Sequence, residues 1–182
     1  MKLYKNYFCP KTLKKLRLKI NKGSNNNIID GELFSSNGTK YRITNNIPNL
    51  VYPTLLPKEE NDIIEWYNNN YKVYDEYLPL TFKTFNTDES IERSKMINKL
   101  EIKSNFKILE TGAGTGRDSI ILASKLGKNG ELHVHDIFDK ILLESVNKLD
   151  NFNTNIFHCV SNAMYLPYPD NYFDIYWLTN EF

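Results

Sequence analysis

The sequence lacks the features that mark a membrane protein or a secreted protein. It contains no run of about 18 apolar residues, so no transmembrane helix is expected. The N-terminus is basic but has neither a continuous apolar segment nor a small-residue cleavage site, which argues against a secretory signal. The two cysteines, Cys9 and Cys159, lie far apart in sequence, so a disulfide framework is not expected. These absences predict a cytoplasmic protein with no membrane-embedded part.

Acidic residues are scarce in the first part of the chain. Residues 1–53 contain two Asp and Glu against ten Lys and Arg, whereas residues 54–182 contain twenty against thirteen. A basic appendage on an acidic domain permits binding to RNA or another polyanion. The alternatives are a solvated basic face, or a basic surface that docks onto the acidic domain.

The length of 182 residues allows one domain, or one domain with a small appendage. Residues 1–53 are predicted to form that appendage, a small β-ribbon unit, in which the apolar pattern over 13–20 indicates a short helix or strand. Residues 28–34 read as a strand, residues 35–39 contain the Asn-Gly pair of a tight hairpin turn, and residues 40–43 return as the second strand.

Residues 54–90 are predicted to form a helical connector. The apolar and aromatic pattern over 62–77 indicates a helix on which Tyr71, Tyr74 and Tyr77 share one face. These tyrosines are candidates for a lid over a ligand pocket. The alternative is that the helix packs on the core of the domain.

Residues 91–182 are predicted to form an α/β domain. The patterns indicate, in order, a helix over 91–100, a strand over 106–110, a helix over 117–126, a strand over 131–136, a helix over 139–149, a strand over 155–160, a loop over 161–171 and a strand over 173–179. Strands that alternate with helices favour a parallel sheet built from βαβ units. Right-handed crossovers then place the carboxyl ends of the strands, and the ligand, along one edge of the sheet.

The most informative segment, residues 107–117, reads Lys-Ile-Leu-Glu-Thr-Gly-Ala-Gly-Thr-Gly-Arg. Gly112, Gly114 and Gly116 form a tight turn between a strand and a helix, where a cofactor can approach the backbone without meeting side chains. Glu110 directly precedes the turn. Three glycines alone are a weak signal, but this context favours a cofactor site. Because no Gly-Lys-Ser/Thr sequence follows, binding of a nucleoside triphosphate is disfavoured.

An acidic residue ends the next predicted strand. Asp136 lies twenty residues beyond Gly116, and a carboxylate at that place can accept hydrogen bonds from both ribose hydroxyls of a bound nucleoside. Nicotinamide-dependent dehydrogenases share this role, so the feature does not identify the cofactor. The alternative is that Asp136 caps the following helix.

A second motif follows the third predicted strand of the domain. Residues 161–174 contain Asn162-Ala163, Leu166-Pro167 and Phe173-Asp174. Together with Glu110, the glycine turn and Asp136, this pattern resembles the type 11-like group of class I S-adenosylmethionine-dependent methyltransferases. The resemblance implies a Rossmann-like parallel sheet with flanking helices, S-adenosyl-L-methionine as cofactor, and a methyl acceptor that is a small molecule or RNA. The basic unit weakly favours RNA.

The resemblance also implies roles for individual residues. Glu110 organises the loop and contacts the amino-acid end of the cofactor, Ile137 packs against adenine, and the Asn162 side-chain oxygen accepts a hydrogen bond from the adenine amino group. The expected cofactor-binding residues are Glu110, Gly112, Ala113, Gly114, Gly116, Asp136, Ile137, Asn162 and Ala163. No catalytic residue is assigned, and no metal is expected.

Such methyltransferases carry three further strands, so the resemblance implies a fold that is incomplete after its fourth strand. The open edge of that strand would then accept a completing chain or a partner chain. A second hypothesis is therefore a non-catalytic remnant or a regulatory subunit that keeps a methyltransferase-like cofactor half. A third is a nicotinamide-dependent dehydrogenase.

The N-terminal unit resembles a zinc-ribbon-like module that precedes some methyltransferase domains. The matching segments are Cys9-Pro10, Gly31-Glu32-Leu33, Gly38, Tyr41-Arg42-Ile43 and Ile47-Pro48. Thr12, Ser35 and residues 36–37 stand where the module has its other cysteines. Structural zinc normally needs four Cys or His ligands, so the unit is expected to be a ribbon without metal.

Overall fold

A computed structural model of the chain describes residues 2–178, except for the side chain of Tyr74. The first half contains β1 (Arg17–Ser24), β2 (Asn27–Phe34), β3 (Lys40–Thr44), β4 (Ile47–Pro48), α1 (Lys58–Thr84) and α2 (Glu89–Asn98). The second half contains β5 (Lys107–Thr111), α3 (Arg117–Lys125), β6 (Glu131–Asp136), α4 (Asp139–Leu149), β7 (Asn155–Val160) and β8 (Ile175–Leu178).

The N-terminal strands form one antiparallel sheet in the order β1-β2-β3-β4. The predicted hairpin is confirmed, because Phe34 pairs with Lys40 across a turn in which the Gly38 amide donates to the Ser35 carbonyl. In β3, buried Tyr41 and Ile43 alternate with exposed residues, as expected when one face of a sheet is packed. The segment over 13–20, predicted as a helix or a strand, contributes its second half to β1.

The second sheet is fully parallel, in the order β7-β6-β5-β8. Helices α3 and α4 connect its first three strands, so the predicted α/β fold with a parallel sheet and flanking helices is confirmed. The carboxyl ends of the four strands lie along one edge, which is where the glycine turn leaves β5.

Each face of the parallel sheet has its own hydrophobic core. One face packs against the helices, with Leu122, Leu142 and Ile97 buried there. The other face packs against the N-terminal unit through Leu109 and Cys159. The β-strand period of two divides successive residues between these cores. The predicted division into 1–53, 54–90 and 91–182 stays a prediction. The core that the N-terminal unit shares with the sheet contains residues from both sides of the predicted boundary at residue 53.

Helix α1 is longer than the predicted helix over 62–77, because it begins at Lys58 and continues past Pro79. Acidic residues in its first turn favour the earlier start. A proline removes the hydrogen bond to the carbonyl four residues earlier, which here is Asp75. The Arg117 guanidinium donates to that carbonyl instead, at 2.5 Å. This replacement satisfies the carbonyl that Pro79 leaves unpaired and allows the helix to continue.

Smaller differences concern the ends of elements. Helix α2 starts two residues before the predicted 91–100 helix, because the Asp88 side chain caps it by accepting from the amides of Ser90 and Ile91. Strand β5 is displaced by one residue from 106–110. Strand β8 starts two residues after the predicted 173–179 strand, whose last residue lies outside the described part of the chain.

Candidate functional site

The glycine turn depends on backbone conformations that other residues rarely adopt. Gly112, Gly114 and Gly116 have φ angles of 68°, 54° and 83°. A Cβ at Gly114 would meet nothing within 4 Å, so this backbone is open to a ligand. A Cβ at Gly116 would lie 2.7 Å from the Ser145 Cβ, so this glycine allows α4 to pack closely. The turn is therefore open to a ligand at Gly114 and closely packed against α4 at Gly116.

Ala113 anchors the turn to the neighbouring strand. Its amide donates to the His135 carbonyl at 3.1 Å, and its own carbonyl accepts from the Gly116 amide at 2.9 Å. Because Ala113 is buried, its side chain forms part of the support of the turn, and its backbone is what a ligand would approach.

Glu110 is completely buried at the end of β5. Its Oε2 accepts from the Ser119 hydroxyl at 2.6 Å, whereas its Oε1 has no hydrogen-bond partner among the described residues. The pKa of Glu110 is raised to about 8, mainly by burial and also by the nearby Asp118 and Asp136, while Ser119 and Arg93 oppose the shift. At neutral pH the carboxyl group is therefore mainly protonated, and an incoming cation would favour its ionised form.

Asp136 connects the end of β6 to the glycine turn. One carboxylate oxygen accepts from the Gly114 amide at 2.7 Å, and the other accepts from the Phe138 amide at 2.9 Å. The N-cap position of α4 is occupied by Phe138, so Asp136 does not cap that helix. The carboxylate is fixed where the turn opens, and each oxygen can accept more than one hydrogen bond.

The remaining predicted site residues lie on the loops that leave β6 and β7. Ile137 is half-buried and lines a cavity of about 450 Å³ together with Val160. The Asn162 side-chain oxygen accepts from the Met164 amide at 2.9 Å, which leaves one lone pair for a ligand. Ala163 is exposed. The structure thus brings Glu110, the turn and Asp136 together, whereas Ile137, Asn162 and Ala163 lie on the loops that follow β6 and β7 at the same edge of the sheet.

An acidic residue that the sequence analysis missed also contacts the turn. Asp75, on α1, accepts from the Thr115 hydroxyl at 2.8 Å and from Arg117 Nε at 3.0 Å, and it lies 3.6 Å from Lys148. Burial raises the pKa of Asp75, but these hydrogen bonds and positive charges outweigh it, so the net shift is downward. Its only trace in the sequence is Pro79, four residues later, which frees the Asp75 carbonyl for Arg117.

Two of the tyrosines predicted to form a lid have different surroundings, and their role as a lid stays a prediction. The Tyr71 hydroxyl donates to Glu144 on α4 at 2.6 Å, and Tyr77 is largely exposed. The Tyr74 side chain lies outside the described part of the structure. Helix α1 nevertheless reaches the glycine turn, because its Asp75 contacts Thr115 and Arg117 at the C-terminal end of that turn.

A buried hydrogen-bonded chain lies under the loop that carries Asn162. His133 Nε2 bonds the Glu131 carboxylate at 3.1 Å, so its Nδ1 accepts from the Tyr168 hydroxyl at 2.8 Å. The same hydroxyl accepts from His135 Nε2 at 2.6 Å, and His135 Nδ1 accepts from the Ser161 hydroxyl at 2.6 Å. The predicted role of the two histidines in packing and hydrogen bonding is consistent with this arrangement.

The N-terminal unit holds the same loop from outside. The Phe8 amide donates to the Pro167 carbonyl at 2.8 Å, and the Leu50 amide donates to the Val160 carbonyl at 2.7 Å. Tyr7 is buried against Tyr168, with ring centroids 5.6 Å apart. The first fifty residues therefore position the loop between β7 and β8.

The part of the chain that the structure describes contains no cluster of three or more His, Cys, Asp or Glu side chains placed to hold a metal ion. Within the same residues, no helix has both the length and the apolar character needed to cross a membrane.

The parallel sheet, the three-glycine turn and the acid bonded to that turn are typical of class I S-adenosylmethionine-dependent methyltransferases, and the family match identifies that class. The chain belongs to the ubiE/COQ5 methyltransferase family, whose model matches residues 58–180, more than half of the chain. The match begins at the first residue of α1. The resemblance drawn from the sequence motifs is confirmed at the level of this class.

Individual relatives cover less of the chain. The ubiquinone/menaquinone biosynthesis C-methyltransferase UbiE of Neisseria meningitidis is 34% identical over 79 residues, which are 43% of this chain and 32% of that protein. The UbiE of Proteus mirabilis is 33% identical over 75 residues, or 40% of this chain and 30% of that protein. The chain therefore spans about a third of the length of the curated relatives it matches.

A solved structure supports the fold alone. Phosphoethanolamine N-methyltransferase 1 of Haemonchus contortus, in complex with phosphoethanolamine and S-adenosylhomocysteine, superposes with a TM-score of 0.54 at 17% identity. The superposition covers 66% of this chain and 24% of that chain.

Proposed function

We propose that the chain carries the S-adenosyl-L-methionine site of a methyltransferase that methylates a carbon atom of a small molecule. The observation that carries the proposal is the hydrogen bond between the Gly114 amide and Asp136, which places an acid beside an open glycine cradle. The name C-methyltransferase of the relatives supports carbon as the methylated atom, and their role in ubiquinone and menaquinone biosynthesis supports a small-molecule acceptor.

The residues of the site fit this cofactor. The open space above Gly114 leaves room for its methionine part, and the unpartnered Oε1 of Glu110 can accept a hydrogen bond from the α-ammonium group, directly or through water. Asp136 can accept from the ribose hydroxyls while it keeps its backbone bonds. Ile137 would pack against adenine, and the free lone pair of the Asn162 oxygen would accept from the adenine amino group.

The bound cofactor supplies an electrophilic methyl group on a sulfonium sulfur. The task of the protein is then to position this group and to exclude water, and such effects supply much of the acceleration in a displacement reaction. A general base is needed only when the acceptor loses a proton early. No described residue is assigned this role. Helix α1, which contacts the turn through Asp75, is the element that would close the site to solvent.

The cofactor assignment is tested by comparing ligands and variants. We expect S-adenosylhomocysteine to raise the melting temperature of the chain more than NAD does. Asp136→Asn should weaken binding of S-adenosylhomocysteine at least tenfold, about 1.4 kcal/mol, in calorimetric titration, because the amide accepts fewer hydrogen bonds. Asp170→Asn, an exposed aspartate, is the matched control. Preferential stabilisation by NAD would contradict the proposal and favour a dehydrogenase.

RNA is the second candidate acceptor, favoured by the excess of Lys and Arg in residues 1–53. Transfer of a labelled methyl group from the cofactor distinguishes the two, with demethylated quinol precursors and bulk RNA offered in parallel. Labelling of the precursor alone supports the primary proposal. Labelling of RNA alone contradicts it and supports the second candidate.

The outer edge of β8 belongs to the same proposal. Within residues 2–178, β8 pairs only with β5. An unpaired parallel edge with exposed Tyr176 and Leu178 beside it favours the addition of further strands. We therefore propose that this edge is where a completing segment or a partner chain joins the sheet.

A further inference from the structure

Helix α1 carries an exposed apolar stripe on the side that faces away from the domain. Ile63, Trp66, Val73, Tyr77 and Leu80 are each between 50% and 63% exposed. They occur on a helix of 27 residues, about 40 Å long. Scattered exposed apolar residues are ordinary, but five on one stripe of one helix are not.

The stripe follows a heptad pattern. Its members are separated by alternating steps of three and four residues when Asn70 is included between Trp66 and Val73. This spacing is typical of positions a and d of a helix-helix seam. The Asn70 amide donates to the Trp66 carbonyl of the same helix at 2.7 Å. We name these six positions, 63, 66, 70, 73, 77 and 80, the outer seam.

The opposite side of α1 already has its partners within the domain. Tyr67 stacks on Phe138 with ring centroids 5.0 Å apart, Tyr71 donates to Glu144, and Asp75 binds the glycine turn. The outer seam is therefore not needed for the packing of α1 on its own domain. A helix that packs on its own domain with one side and carries an apolar stripe on the other is typical of one that lies between two bodies.

Charge indicates how a second helix would lie on the outer seam. The first turns of α1 are acidic, with Glu59, Glu60 and Asp62, and its last turn contains Lys83. A parallel copy would place the acidic turns beside each other and align the two helix dipoles unfavourably. An antiparallel copy places Asp62 near Lys83 of the second copy, twice by symmetry.

An antiparallel alignment also matches the sizes of the side chains. It sets Ile63 against Leu80 of the second copy, Trp66 against Tyr77, and Asn70 against Val73. The contact is isologous, because each of these pairs occurs twice around one two-fold axis. All six outer-seam positions then face another outer-seam position.

The available area predicts a weak dimer. Half-exposed aromatic and aliphatic side chains of this size would bury about 500 Å² in each copy, or about 1,000 Å² in total. This value lies at the lower end of specific protein interfaces. We therefore expect a dissociation constant in the micromolar range, on the order of 1–100 µM.

We propose that the outer seam of α1 is a self-association surface on which a second copy of this chain docks antiparallel. The proposal goes beyond the proposed function and does not depend on it, because the seam contains none of the candidate cofactor-binding residues. Dimerisation through α1 would, however, join two helices that each cover a cofactor site.

Sedimentation equilibrium of the full chain from about 1 to 200 µM tests the proposal, because this range brackets the expected affinity. We expect a reversible monomer-dimer equilibrium. Trp66→Glu and Val73→Glu should each raise the dissociation constant at least tenfold, whereas Leu55→Glu, which removes an exposed apolar residue outside the seam, should leave it unchanged. A monomer at all concentrations, or equal effects of all three variants, overturns the proposal.

A charge swap and a cross-link test the orientation. Asp62→Lys should weaken the dimer, and Asp62→Lys with Lys83→Asp should restore it. Under oxidation, a mixture of Asn70→Cys and Val73→Cys chains should cross-link, whereas Ile63→Cys alone should not, because the two copies of position 63 lie about 25 Å apart. Cross-linking of Ile63→Cys to itself refutes the antiparallel arrangement. Binding to lipid vesicles without dimerisation overturns the choice of occupant.

Discussion

Replacing Glu110 by glutamine should change how the stability of the protein depends on pH. Glu110 is buried, and its pKa rises from an ordinary value of 4.5 to about 8. The folded state therefore holds this proton more tightly than the unfolded state does. The stabilisation that results is complete below about pH 4.5 and is lost as the pH rises toward 8. Glu110→Gln carries an uncharged amide of the same shape, so it lacks this titration.

The size of the effect follows from the pKa shift. One unit of difference between folded and unfolded states corresponds to about 1.4 kcal/mol, so the free energy of unfolding should fall by roughly 5 kcal/mol between the two pKa values. We therefore expect the glutamine variant and the wild type to be similar near pH 5. At pH 8 or above, the variant should be more stable by several kcal/mol.

Urea unfolding of both proteins at a series of pH values between about 4.5 and 9 measures this difference. Ser119→Ala provides a second arm: its hydroxyl lowers the pKa of Glu110, so removing it should extend the loss of stability to higher pH. A difference between wild type and Glu110→Gln that does not change with pH would refute the reasoning. Bound S-adenosylhomocysteine should reduce the pH dependence of the stability difference between the two proteins, because an ammonium group beside Glu110 would stabilise the ionised carboxylate.

Two further predictions concern the support of the site. Gly114→Ala should lower the free energy of unfolding by about 1–2 kcal/mol, because alanine disfavours a positive φ. Gly116→Ala should lower it clearly more in the same urea assay, because its Cβ would also meet Ser145. Equal losses for the two variants would contradict the packing argument. Tyr168→Phe should lower the free energy of unfolding by about 2–4 kcal/mol, because it leaves two buried histidine nitrogens unpaired. A loss below about 0.5 kcal/mol would show that the hydroxyl is dispensable.

The conformation of the glycine turn was predictable because it is local in sequence. A turn that needs positive φ angles requires glycine at fixed spacing, and Gly114 and Gly116 display that requirement directly. Asp136 was predictable because the end of a parallel strand beside the turn is a fixed place in the sheet. The roles of Ile137 and Asn162 toward a ligand stay predictions.

What could not be predicted depends on contacts between distant segments. Asp75 contacts Thr115 and Arg117 across forty residues or more, and no periodicity encodes such a pairing. The continuation of α1 past Pro79 was missed for the same reason, since the distant Arg117 satisfies the carbonyl that Pro79 leaves unpaired. Docking of the N-terminal unit on the domain was one of the alternatives, but its apolar contact with the sheet was not predicted, because alternating strands do not reveal which surface covers them.

The shared core of the N-terminal unit and the parallel sheet has a consequence for the synthesis of the chain. The apolar face formed by Leu33, Tyr41 and Leu50 packs on Leu109 and Cys159. At about 5–20 residues per second, this face is synthesised roughly 5–20 s before Cys159. During that interval the antiparallel sheet must hold together with one side uncovered, or be protected by a chaperone. The order of translation thus leaves the apolar face of the first fifty residues uncovered until the parallel sheet has been made.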